Sequence, residues 1–211
     1  MVNLNKQYWN NRYNKMTGEK VVGHKHWSLE QYNRENEKWV KLFSKTFEKL
    51  NIQKIYSVLD FGCGVGRWIP FLKQYCLYYC GVDIIEKALN QAKEKAYLYN
   101  NVNFGLIENG LIPNLIGNCG YDLIWSVVCL QHVIDDKLLD LYISQFYKIL
   151  RPNSWIISVE NVSENKSNEY IKFRSYADYA KMFKHHKFKP ISVEYFESSG
   201  EKHAIMVFQK I

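Results

Sequence analysis

No apolar run in the sequence approaches the roughly 20 residues that a membrane-spanning helix requires, and Met1 leads straight into the polar stretch V-N-L-N-K-Q. These absences predict a cytoplasmic protein with neither a membrane segment nor a secretory leader. Proline is scarce, four in 211 residues, and no Pro/Gly/Ser-rich stretch interrupts the interior. No linker is expected, so residues 1–211 are read as a single domain, long enough to bury a full core. Cys63, Cys76, Cys80, Cys119 and Cys129 show no C-x-x-C or similar metal spacing. They fit reduced thiols, not a disulfide framework or a zinc site. Repeats and low-complexity tracts are lacking too. Basic residues outnumber acidic ones by 28 to 21, a net charge of +7, but the lysines are scattered and form no stripe. That weighs against a nucleic-acid partner and favours, weakly, an anionic small molecule.

What is present centres on Ser57–Trp68, S-V-L-D-F-G-C-G-V-G-R-W. Val58, Leu59 and Phe61 form a short apolar run of the kind found in buried parallel strands. Asp60 is followed by Gly62, Gly64 and Gly66 at alternate positions, and Arg67–Tyr75 then opens a helical pattern with Pro70 in its first turn. A dinucleotide fingerprint needs G-x-G-x-x-G. The spacing here is D-x-G-x-G-x-G, and Asp60 would repel a pyrophosphate. A carboxylate in that place suits a ligand with a cationic amino group.

Two further acids follow apolar runs. Tyr78–Asp83 (Y-Y-C-G-V-D) ends in Asp83, roughly 20 residues past the glycine loop, where an acid binds ribose hydroxyls in nucleotide folds. The alternative for Asp83 is a cap on a helix over Glu86–Tyr99. Asn101–Gly110 (N-V-N-F-G-L-I-E-N-G) carries Glu108 and Asn109 after a third strand. Tyr121–Leu130 is a strong central strand that leads to Gln131 and His132, and Leu150–Val159 reads L-R-P-N-S-W-I-I-S-V.

This series, in order and spacing from Val58 to Val159, resembles the class I S-adenosylmethionine-dependent methyltransferases. The resemblance implies a Rossmann-like, doubly wound α/β fold with a mostly parallel seven-stranded sheet, its last strand antiparallel, and helices on both faces. It implies S-adenosyl-L-methionine as cofactor, with S-adenosyl-L-homocysteine as product. On this reading residues 1–50 are an N-terminal lid and helices, 51–160 the cofactor-binding core, 161–190 a substrate-side insertion and helix, and 191–211 a terminal strand pair. The cofactor contacts implied are Asp60, Gly62, Cys63, Gly64, Gly66, Asp83, Ile84, Glu108, Asn109, Ser126 and Tyr13. The family usually has Asp at the place of Glu108, and many members have a glycine near Lys187, which this chain lacks.

Near the N-terminus, Tyr8, Trp9, Arg12 and Tyr13 match a Y-W-x-x-R-Y segment that folds over the pocket in related enzymes. Either this is a lid that meets cofactor and substrate, or its aromatics pack on the core. Lys20, His24, Lys25, His26 and Trp27 offer an anion-binding stretch or a solvated loop. H-x-H alone supplies too few ligands for zinc. Leu29–Leu50 reads as an amphipathic helix with Tyr32, Trp39, Phe43 and Phe47 on one face. Asp135 and Asp136 suit the start of a helix running to about Ile149, which accounts for them without a metal. Arg174, before a helix over Tyr176–His185, is either an anion ligand, a task its planar fork suits, or an arginine paired with a local acid. Strands around Ile191–Phe196 and His203–Gln209 flank an S-S-G turn.

His132 follows the central strand and is the candidate base, since imidazole titrates near working pH. The alternative is a positioning role for the Gln131–His132 pair. Glu160 is a further substrate contact, and the substrate set is Tyr8, Arg12, His24, His26, Trp27, Gln131, Glu160 and Arg174. After the central strand stands Ser126-Val127-Val128-Cys129, not the N/D-P-P-Y/F loop of nucleobase amino-methylating enzymes, and Cys129 lacks the Pro-Cys context of cytosine carbon-5 methylation. The acceptor expected is a small, anionic molecule of phosphorylated or sugar type, methylated on O or N by a monomer or homodimer. An RNA or protein methyltransferase, or a silent cofactor-binding subunit, are the alternatives.

Overall fold

The computed structural model describes residues 4–16, 28–163 and 167–211. His24, His26 and Trp27 lie outside the described residues. The elements run α1 (Leu4–Lys15), α2 (Leu29–Lys49), β1 (Ile55–Phe61), α3 (Ile69–Leu72), β2 (Cys76–Asp83), α4 (Glu86–Lys95), β3 (Val102–Leu106), β4 (Tyr121–Val127), α5 (Asp136–Ile149), β5 (Leu150–Asn161), α6 (Tyr176–His185), β6 (Phe188–Ser198) and β7 (Glu201–Lys210). They build one seven-stranded sheet in the order β3-β2-β1-β4-β5-β7-β6. The pairs β1–β2, β1–β4, β2–β3 and β4–β5 are parallel, and β7 runs antiparallel to both β5 and β6. The strand order reverses between β1 and β4, so their carboxyl ends diverge and open a crevice there.

The central strands read as near-continuous apolar runs because helices cover both faces. On one face Leu139, Tyr142, Ile143 and Phe146 of α5 and Tyr179 and Phe183 of α6 pack against Leu59, Phe61 and Ile124. On the other, Trp39, Phe43 and Phe47 of α2 meet Trp68, Phe71 and Trp125. Trp125 is fully buried, with Phe43 edge-on at 4.6 Å. No helix among the described residues is long and apolar enough to cross a membrane.

Helix ends follow local chemistry. Ser28 opens α2 with a capping box to Gln31, and Ser175 does the same for α6 with Asp178. Asp135 caps α5, its side chain accepting from the Lys137 N–H at 2.9 Å. Lys187 takes the left-handed conformation, φ 62°, at the position after α6 where a glycine was expected. The turn forms without glycine, at the strain cost a side chain bears there.

One expected element is much shorter than its pattern. The helix foreseen over Arg67–Tyr75 is α-helical only at Ile69–Leu72. Gly66, at φ 75°, holds its near end in a turn. At the far end Gln74 and Tyr75 donate to Phe71 and Leu72, three residues back, which tightens the chain out of the helix. A single turn has little aligned dipole to offer a ligand.

Candidate active site

A cavity of about 480 Å³ lies at the carboxyl ends of β1, β2 and β4. The Gly62–Gly64 backbone forms one wall. A Cβ on Gly62 would stand 2.1 Å from Cys129 Sγ, and its φ of 76° is itself glycine's territory. A side chain there would push apart the two loops that meet over the cavity. Gly66 does not reach the cavity. Its missing Cβ instead lets Ile69 (2.5 Å) and Ala92 (3.3 Å) approach, so it packs α3 against α4.

Asp83 stands at the cavity wall. Its Oδ2 accepts from the Gly64 N–H and its Oδ1 from the Ile85 N–H, each at 2.9 Å. It therefore pins the glycine loop and does not cap α4, whose N-cap is Ile85. A carboxylate has about four acceptor sites, so both oxygens retain capacity for further donors. Burial pushes its pKa up to about 6, against the pull of those N–H groups. Ile84 and Ile107 supply apolar surface beside it.

Asp60 lies 1% exposed behind this wall and does not line the cavity. Its Oδ2 accepts the Tyr79 hydroxyl at 2.6 Å. Burial lifts its pKa to about 7 in spite of that bond, and the Asp83 charge adds to the rise. Ser126 is likewise buried off the cavity, while Cys63 and Cys129 line it. Burial drives both thiols well above their ordinary pKa, so neither is a thiolate. Glu108 and Asn109 are exposed outside the lining. Asn109 (φ 52°) and Gly110 (φ 75°) are the central residues of a tight turn closed by Leu111 N–H to Glu108 carbonyl at 2.8 Å. Two successive positive φ values mark a type I′ turn, which is what Asn-Gly favours.

Helix α1 roofs the cavity with Asn5, Tyr8, Trp9, Arg12 and Tyr13. Asn5, Trp9 and Tyr13 recur every fourth residue and share one face. Tyr13, 3% exposed, packs with Val65, Ile85 and Ala88. Trp9 meets the His132 ring edge-on at 5.0 Å, Tyr8 stacks on Tyr170 at 4.3 Å, and the Asn5 amide donates to the His132 carbonyl. Asn5 had no sequence signal, because only the fold brings it to a residue 127 positions away.

His132 sits on a one-turn 3-10 helix, Leu130–His132, that follows β4. Its Nδ1 lies 3.1 Å from the Tyr170 carbonyl. A carbonyl only accepts, so Nδ1 carries the proton and Nε2 is left with the lone pair. Burial pulls its pKa down to about 4, helped by Arg12 and opposed by the Tyr170 bond. The ring is neutral at pH 7.

Three residues expected to touch substrate turn out to hold that turn in place. Glu160 is fully buried, off the cavity, and accepts the Leu130 (3.0 Å) and Gln131 (3.1 Å) N–H groups and the Ser158 hydroxyl (3.1 Å). Burial raises its pKa to about 7 against these donors. Gln131 lines the cavity, but its Oε1 is occupied by the Asn161 N–H at 2.9 Å. Arg174 is not placed as an anion ligand. It is 5% exposed, and its Nη2 reaches the Val133 carbonyl at 2.8 Å and Asp136 Oδ1 at 2.7 Å. The local acid has claimed its fork. The guanidinium groups that do line the cavity belong to Arg12 and Arg67.

Arg67 lines the cavity beside an aromatic cluster, with its guanidinium carbon 4.5 Å from the Trp68 ring centre, 5.0 Å from Tyr32 and 5.6 Å from Trp39. Its Nε donates to Asn36 at 2.6 Å. Trp39 is fixed by Nε1 to Ser198 Oγ (3.0 Å), which in turn donates to Glu35 (2.9 Å). Asn161, Ser198, Glu201 and His203 also line the cavity. Sequence periodicity assigned Trp39 to scaffold and gave no role to Arg67.

Residues 58–153 match a family described as a methyltransferase domain. No curated protein sequence matches the chain. Solved structures match its fold over nearly all its length. Magnesium protoporphyrin IX methyltransferase from Synechocystis, solved with S-adenosylmethionine bound, superposes with a TM-score of 0.71 at 18% identity, covering 98% of this chain and 95% of that one. The N-methyltransferase NodS from Bradyrhizobium japonicum, in complex with S-adenosylhomocysteine, gives 0.74 at 11% identity with 98% of both chains covered. A cyclase, SpnF, also matches, at 0.67 and 14% identity over 81% of this chain and 80% of that one. At such identities the likeness is one of fold. Residues 58–153 thus match a methyltransferase domain, and the described residues have the fold of solved S-adenosylmethionine-dependent methyltransferases.

Proposed function

We propose that the protein methylates an O or N atom of a small, anionic acceptor held in the cavity between His132 and Arg67. The supporting observation is continuity. The Gly62–Gly64 loop, Asp83, Cys129, His132, Arg67 and His203 all line one cavity. S-adenosylmethionine supplies a methyl group on an electrophilic sulfonium, and the cradle of two glycines, an acid and flanking isoleucines fits its nucleoside. Asp83 would accept the ribose hydroxyls, and Tyr13 and Trp9 would shut the cofactor side from water.

His132 takes the acceptor's proton at Nε2 while Tyr170 holds Nδ1–H. Burial leaves that imidazole neutral at pH 7 but weakly basic; it suffices because the acceptor's proton becomes strongly acidic as its O or N bonds to the methyl carbon. In-line displacement needs chiefly alignment, and Glu160, Gln131 and Arg174 supply it by fixing the turn that carries His132. Arg12 and Arg67 give the acceptor's anionic group its counter-charge. The roof formed by α1 favours a small acceptor over a polymer.

The test is formation of S-adenosylhomocysteine on incubation with phosphorylated and carboxylated metabolites and their neutral analogues. Turnover of anionic members, weakened by Arg67→Met, supports the reading. Turnover of neutral analogues at equal rates contradicts the anionic acceptor, and cofactor binding with no turnover across the panel supports a silent cofactor-binding subunit instead.

A further inference from the structure

Outside the cavity, one group of side chains has the composition of a metal site. Asp140 lies one turn into α5. His185 ends α6, and His186 is its C-cap, with φ −94° and ψ 25°. Successive residues within a helix point about 100° apart. Here the chain is leaving the helix at His186, so the two imidazoles converge, with ring centres 5.1 Å apart at 87°. His186 Nε2 lies 2.7 Å from Asp140 Oδ1, and one donor atom from each of the three residues falls within 4.8 Å of the others. None of the three lines the cavity.

We propose that Asp140, His185 and His186 bind a divalent transition-metal ion of zinc type, which ties α5 to α6. Two imidazole nitrogens and one carboxylate oxygen are a three-ligand set that zinc accepts, with water in the fourth position. The ligands straddle 46 positions of sequence, so no linear spacing announces them. The carboxyl end of α6 carries the negative pole of its dipole, which favours a cation. His186 is already oriented by Asp140, and the exposed His185 ring has only to rotate inward to close bonds of about 2 Å. Lys184 and Lys187 flank the pair in sequence, and their charge opposes binding of a cation. The ion would bridge α5 to the carboxyl end of α6, whose opposite end follows the Arg174–Asp136 pair, and so would stiffen the support of the His132 turn from outside.

Untagged full-length protein, stripped with chelator, is titrated calorimetrically with zinc chloride. Cobalt(II) titration in parallel reports tetrahedral coordination through its visible absorption. The proposal expects one equivalent bound and a rise in Tm. His185→Ala, which removes an exposed ligand and leaves the His186–Asp140 contact intact, should weaken binding by about tenfold or more, since a direct bond is lost. Asp140→Asn should do the same. Absence of binding by the wild-type protein overturns the proposal. Binding of unchanged affinity in both variants also overturns it, because the ion then sits on other ligands.

Discussion

At the scale of single residues, the site is governed by burial acting on a few acids and one imidazole. Asp83, with its pKa near 6, is charged above that pH and fully able to accept ribose hydroxyls. As pH falls through 6 it takes up a proton, so affinity for S-adenosylhomocysteine should drop between pH 7 and 5, and calorimetry at several pH values would show it. The sign for folding is opposite. Asp60 and Glu160, both raised to about 7, bind protons more tightly folded than unfolded, so they withdraw stability as pH climbs towards and past 7. His132, lowered to about 4, adds stability as pH rises from 4 to its unfolded value near 6.5 and nothing beyond. The unliganded protein should therefore have a higher Tm at pH 6.5 than at pH 8, and a rise over that interval would refute the assignment. Gly62 gives a steric prediction. Gly62→Ala places a Cβ against Cys129 Sγ at a positive φ, and should cost about 2 kcal/mol or more in denaturant unfolding.

At the scale of elements, the turn Leu130–His132 is held from beneath by Glu160 and from the side by Arg174. Replacing Glu160 with Gln puts an amide where two backbone N–H groups and a hydroxyl now converge on a carboxylate. Such a variant should retain cofactor binding yet lose about 10- to 100-fold in turnover, because His132 shifts relative to the acceptor. A loss of cofactor affinity as large as the loss of rate would show that Glu160 serves the cofactor loop instead. Elements are also where the sequence was most legible. The apolar runs of β1 and β4, the acids that open α5, and the Gly62/Gly64 spacing each have a local cause, and each formed as read. The Arg67–Tyr75 pattern did not, since core packing of Trp68, Ile69, Phe71 and Leu72 is satisfied by one turn of helix and two tight bends. Arg174 and Glu160 were read as substrate contacts because an arginine or an acid at a strand or helix end looks alike whether it faces a cavity or a backbone. Which one it faces depends on Asp136 and on the Leu130 and Gln131 amides, contacts that span 29 to 38 positions. Asn5 and Arg67 were missed for the same reason.

At the scale of the whole molecule, one crevice at the reversal of strand order is roofed by α1 and closed at the far end by the β6–β7 hairpin. A ligand that bridges these parts stabilises them jointly. At a concentration of 100 times its Kd, S-adenosylhomocysteine should add about 2.7 kcal/mol to unfolding free energy, visible as a Tm rise of several degrees. The measurement that bears most directly on the account is calorimetric titration of S-adenosylhomocysteine into the wild-type protein and into Asp83→Ala, with folding of both checked by thermal melting. The account predicts one-to-one binding by the wild type and about hundredfold weaker binding by the variant, the loss expected from charge-assisted bonds worth about 3 kcal/mol. A folded wild-type protein that binds neither S-adenosylhomocysteine nor S-adenosylmethionine, or a variant that binds as tightly, would contradict it.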